Sequence, residues 1–149
     1  MLRKLSLTLL AAALALPVAS AVAQQVTKKF EYAPVNGVQD LRFELEKVNV
    51  NQITFKPGKS LGAGLRKSDA AADVRVDNNG ATDKIVGVAV VMYDAEGNVV
   101  AAGSSGTHVG YLKAGERDIA RIEFPYVFRH MDKAKSFVVT MEMTDRPKD

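Results

Sequence analysis

The sequence predicts an all-β protein, an antiparallel β-sandwich of about seven strands, and three observations carry that prediction. Apolar residues recur with period two through most of the chain, and few segments show the 3.6-residue recurrence of a helix. Turn residues punctuate these runs at short, regular intervals, as in sandwiches. The chain has no cysteine, so packing alone must hold it together, which favours a compact sandwich over a loop-rich scaffold stapled by disulfides.

The first 23 residues read as a secretory signal peptide. Arg3 and Lys4 form a basic start, Leu5 to Leu16 an apolar core, Pro17 breaks it, and Ala21-Val22-Ala23 offers the small residues that a signal peptidase requires. The apolar core spans 12 residues, short of the roughly 20 that cross a bilayer. A lipid-modified N-terminus needs a cysteine, and Arg3-Lys4 is not the arginine pair of the twin-arginine route. Cleavage after Ala23 leaves 149 − 23 = 126 residues, one domain over 24–149. It also takes the basic count from 20 to 18 against 17 acids, so the net charge falls from +3 to +1. Such a balance supplies no field to attract nucleic acid. The mature chain is expected to be periplasmic or secreted, without a membrane span, as a monomer or weak oligomer.

Along the mature chain, Leu41, Phe43 and Leu45 alternate with Arg42, Glu44 and Glu46, the pattern of a half-buried strand with a charged outer face. The parity changes near Glu46-Lys47, and again near Asn51-Gln52 between Val48, Val50 and Ile53, Phe55, which calls for a bulge or strand break at each place. Residues 57 to 71 carry three glycines and a proline and read as a long loop, with one helical turn over Leu65 to Ala72. Val74 and Val76 open the next strand, and Asp77-Asn78-Asn79-Gly80 reads as a turn. Ile85 to Tyr93 is apolar at both parities, the signature of a central strand covered on each side. Asp94-Ala95-Glu96-Gly97-Asn98 is a hairpin loop leading into Val99 to Ala102. Leu112 to Glu116 is a second tight turn, feeding Ala120, Ile122 and Phe124. Phe137, Val139, Met141 and Met143 share one face of a final strand.

The run from Val74 to Glu142, and Val90-Val91-Met92-Tyr93-Asp94 within it, resembles the exported immunoglobulin-like modules of the FxLYD type in bacterial envelope proteins. Val90 stands in place of the motif's Phe and Met92 in place of its Leu, while the Gly-Asn that follows and the Leu-x-x-Gly-Glu turn fit the same pattern. The resemblance implies an immunoglobulin-like sandwich and a binding, spacing or assembly role. It implies no activity.

Motifs with chemical potential are few. Gly58-Lys59-Ser60 lacks the earlier glycine of a phosphate-binding loop, since position 53 is Ile, and Gly62-Ala63-Gly64 lacks the third glycine of a dinucleotide fingerprint. Gly103-Ser104-Ser105-Gly106-Thr107 has Thr107 where a nucleophile elbow needs glycine, although His108 is near enough in sequence to serve Ser105 as a base. Asp77, Asn79 and Asp83 lack the twelve-residue loop of a calcium site. His130-Met131 with Met141 and Met143 offers imidazole and thioether donors of the kind that suit copper(I). The alternation instead turns Met141 and Met143 into the core as gap fillers. Lys56, Lys59, Arg66 and Lys67 accumulate in a stretch without acids, where an anionic glycan, a lipid headgroup or an acidic envelope protein would bind. Arg129, His130, Lys133 and Lys135 form a second basic cluster. The expectation is an exported, non-catalytic binding or structural module without a cofactor. The alternative is a periplasmic copper-binding protein using His130, Met131, Met141 and Met143.

Overall fold

A computed structural model of the chain describes residues 23–58, 70–125 and 131–147. Their strands are β1 (Gln24–Glu31), β2 (Val38–Leu45), β3 (Val48–Lys56), β4 (Ala70–Asn78), β5 (Lys84–Tyr93), β6 (Val99–Gly106), β7 (Arg117–Phe124) and β8 (Ser136–Asp145), with a single 3-10 turn at Met131–Lys133. They form two four-stranded sheets, β1-β8-β5-β6 and β2-β3-β4-β7, in which every neighbouring pair is antiparallel. β4 and β7 are neighbours in one sheet and β5 and β8 in the other, so the chain crosses between the sheets both from β4 to β5 and from β7 to β8, as from B to C and from E to F in immunoglobulin-like sandwiches.

The core lies between the sheets and is built from the inward parity of each strand. Val86, Val88, Val90 and Met92 of β5 and Phe137, Val139, Met141 and Met143 of β8 face Val48, Val50, Ile53 and Phe55 of β3, Val74 and Val76 of β4, and Ala120, Ile122 and Phe124 of β7. One side of the sandwich is closed by rings. Phe30 stacks on Phe137 at 5.4 Å between centroids, and Phe55 meets Phe137 and Tyr32 edge-on at 5.2 and 4.9 Å. The other side is closed by backbone: a Cβ on Gly103 of β6 would stand 2.7 Å from the Glu123 carbonyl oxygen and 2.8 Å from Ile122 Cγ2 of β7. Only glycine lets the two edge strands approach this closely.

Both parity changes have physical causes. Glu46 and Lys47 take positive φ (44° and 66°) in the two-residue turn joining β2 to β3, and the register of β3 on β4 shifts between Val50 and Gln52. The hairpin at 94–98 closes through Gly97 (φ 85°), with Asp94 accepting from the Glu96 and Asn98 amides.

The antiparallel sandwich is as the sequence predicts, with eight strands among the described residues; the additional one is β1, whose inward parity holds Val26 and Phe30 with exposed Lys28 between them, which breaks the apolar rhythm. Three expectations need correction. Ala70 to Ala72 do not close a helical turn but open β4, where their small side chains are fully packed and tertiary contact overrides alanine's helix propensity. Asp77 and Asn78 belong to β4 rather than to a turn, and the Asn78 side chain is completely buried. Finally, β5 is central but is covered on one face only. Its outward residues, Ile85 at 40% exposure among them, have no third layer over them among the described residues.

Candidate functional site

The outward parity of the β1-β8-β5-β6 sheet is set by its register. Gln25, Glu142, Gly87 and Gly106 lie side by side in one row across the four strands, and Thr27, Thr140, Ala89 and Ser104 in the next. A third row holds Lys29, Val138, Val91 and Ala102, and Ile85 pairs with Thr144 at the opposite end. On the two central strands this set contains a single charge, Glu142. The small side chains leave an open groove of about 500 Å³, floored by Gly87, Ala89 and Gly106 and bounded by Ile85, Glu142 and Thr107. Glu142 makes no ion pair or hydrogen bond among the described residues. Thr107 is buried, and its Oγ1 has no hydrogen-bond partner among them.

The outer face of the second sheet is opposite in character. Asp77 sits between Arg117, whose Nε and Nη2 donate to it at 2.7 and 3.2 Å, and Asn51, whose Nδ2 donates at 2.8 Å. Burial pushes the Asp77 carboxyl upward, but the hydrogen bond and charge of Arg117 and the charge of Arg75 outweigh it and hold the group below the ordinary carboxylate range. Arg121 pairs with Glu123 at 3.6 Å, and Lys56 with Asp73. One outer face thus carries paired charges on β3, β4 and β7, whereas on the two central strands of the other Glu142 is the one charged residue.

A second polar cluster closes an end of the barrel-like core. Buried Lys84 donates to Asp145 at 2.7 Å and to Glu46 at 3.1 Å, and Gln24 also reaches Glu46. The hydrogen bond to Asp145 raises the Lys84 ammonium and burial opposes it, while Glu46 adds to the rise. The Asp145 carboxyl is lowered by the hydrogen bonds of Lys84 and Thr82. Every partner here is engaged with another, so the cluster reads as a fastener between strand ends.

The residues singled out from sequence fall elsewhere. Lys56 is engaged with Asp73, which cancels its charge as a lone anion-binding group; Lys59, Arg66 and Lys67 lie outside the described residues. Met141 and Met143 face the core at 0% and 2% exposure, as their parity predicts, and Met131 is buried in the 3-10 turn. His130 lies outside the described residues. The 3-10 turn that holds Met131 contacts β6, whereas Met141 and Met143 lie on β8. Ser105 Oγ donates to the neighbouring Gly106 carbonyl at 3.3 Å, and His108 is held through its backbone amide by Asp118 at 2.7 Å. Asp77, proposed above only to be set aside as a calcium ligand, is occupied by Arg117. Among the described residues, no group of three His, Cys, Asp or Glu side chains is placed to hold a metal ion.

No protein-family model matches the chain, and no curated protein is significantly similar to it. The outward face of β5 and β8 was missed in the sequence because apolar residues at both parities imply two covered faces. The signal that could have found it is Gly87, a residue with no side chain to bury in the middle of an apolar run.

Proposed function

We propose that this chain is an exported, non-catalytic binding or structural module of the bacterial cell envelope, periplasmic or secreted, which meets a protein partner through the outer face of the β1-β8-β5-β6 sheet. The observation that carries this reading is the contrast between the two outer faces. An apolar, nearly uncharged plane on central strands marks a contact surface, because a face meant only for water takes charged residues, as the opposite face does. The signal-peptide pattern of residues 1–23 supports export. No helix among the described residues is long and apolar enough to cross a membrane. The resemblance of Val74 to Glu142 to FxLYD-type modules points the same way, since such modules bind, space or assemble.

Site-specific photocrosslinking in intact cells tests this. A crosslinker at Ala89 or Val91 is expected to trap one discrete partner, and the same group at Arg121 on the opposite face to trap none. Equal yields from both faces, or a protein retained in the cytoplasm with residues 1–23 intact, would overturn it.

A further inference from the structure

We infer that the groove over Gly87 and Gly106 takes a basic side chain of the partner protein, a lysine or arginine whose aliphatic stem lies on the glycine floor and whose charged head meets the Glu142 carboxylate. This rests on the outer sheet face being the binding surface, and it names the chemistry that the surface recognises.

Four observations converge on that side chain. Gly87 is not demanded by the fold: its φ is not left-handed, and a Cβ added there would meet no atom within 4 Å. A glycine inside a central strand loses more chain entropy on folding than any residue with a side chain, so an unforced one marks a place where another group lies against the backbone. Glu142 stands directly beside Gly87 in the register, on a central strand, with no cationic partner among the described residues. No lysine, arginine or histidine side chain lines the groove, so its one charged side chain, Glu142, is negative, which favours a cationic group over an anionic one. Ile85 and Ala89, the outward side chains of β5 beside Gly87, are aliphatic, which suits the methylene stem of a basic residue. A carboxylate receiving N–H donors from a cation makes the stronger, charge-assisted kind of hydrogen bond.

The test titrates the purified protein with two peptides, acetyl-Ala-Lys-Ala-amide and its norleucine counterpart, while backbone amide resonances are followed by NMR. The lysine peptide is expected to shift the amides of Gly87, Gly106 and Glu142 and to bind about tenfold more tightly than the norleucine peptide. Glu142→Gln is expected to reduce the lysine peptide to the norleucine level. Gly87→Val is expected to abolish both interactions without lowering the unfolding midpoint, and Gly87→Ala serves the same purpose if the valine variant does not fold. Equal binding of the two peptides at these amides, blocked by Gly87→Val, would leave the surface standing and overturn the assignment of a basic ligand. An unchanged lysine affinity in Glu142→Gln would overturn it too. Absence of any shift along this row with either peptide would overturn both the ligand and the surface.

Discussion

Replacing Asn78 by alanine removes a side chain that ties together two turns distant in sequence. Its Nδ2 donates to the carbonyls of Thr82 at 2.9 Å and of Leu112 and Lys113 at 3.1 Å, and its Oδ1 accepts from the Gly80 amide at 2.9 Å. The four contacts are not equal. Leu112 O also accepts from the Lys84 amide and Lys113 O from the Glu116 amide, so both keep a donor after the substitution. Thr82 O and the Gly80 amide lose their only bonds among the described residues. At about 1 kcal/mol or more for each orphaned group, and about 1 kcal/mol for the emptied volume of a fully buried side chain, the loss comes to about 3 kcal/mol. In a domain of this size that is a fall of about 10 °C in Tm. Asn78→Asp keeps the acceptor for Gly80 but sets a carboxylate oxygen against three carbonyl oxygens, so at pH 7 it is expected to be less stable than the alanine variant. Equilibrium urea unfolding at 25 °C reads both values. A loss below about 1 kcal/mol for alanine, or an aspartate variant more stable than the alanine one, would refute this account of the hub.

Other substitutions test the packing and the electrostatics. Gly103→Ala is expected to cost about 1–3 kcal/mol in urea unfolding by forcing β6 off β7, whereas Gly87→Ala, entering open space, is expected to be neutral or to gain up to about 1 kcal/mol; equal effects at the two positions would contradict the geometry. Asp77 has a lowered folded pKa, so the stability it supplies is present above its unfolded value of about 4 and lost as pH falls through the folded value. Arg117→Ala should therefore lower Tm at pH 7 and show a deficit against the parent protein that shrinks as pH falls below about 4; a deficit constant with pH would exclude the pairing as its cause. Met141→Leu is expected to cost less than about 1.5 kcal/mol and Met141→Ala about 2–5 kcal/mol. Copper(I) titrated under reducing conditions is expected to bind no more tightly to the parent than to His130→Ala, and tight stoichiometric binding lost in that variant would restore the copper reading.

How far the sequence could be read depended on how local the cause was. Strand parity, the turn at Glu46-Lys47, the bulge at Asn51 and the hairpin at 94–98 are settled by residues within a few positions of each other, and all were legible. β1 was not, because Lys28 interrupts the two apolar residues it turns inward, and its strand character comes from pairing with β8 more than a hundred residues away. Asn78 was read as a turn residue because asparagine beside Asn79-Gly80 favours turns; its burial depends on carbonyls of Leu112 and Lys113 that only the fold brings near. Lys56 looked like one of a run of free cations until the strand pairing set Asp73 beside it. Periodicity marks which side chains are apolar. It does not reveal whether a further layer exists to cover them, and so the outward face of β5 went unread.

The pairing of β1 with β8 also governs when the molecule can come into being. Ribosomes make the amino end first, and a secretion channel would release it first, so Gln24–Glu31 must wait for Ser136–Asp145 before its ladder can zip. Until then one sheet lacks an inner strand, and contacts this distant along the polymer form late and slowly. Such a delay makes the arrival of Ser136–Asp145 the moment at which the sandwich locks.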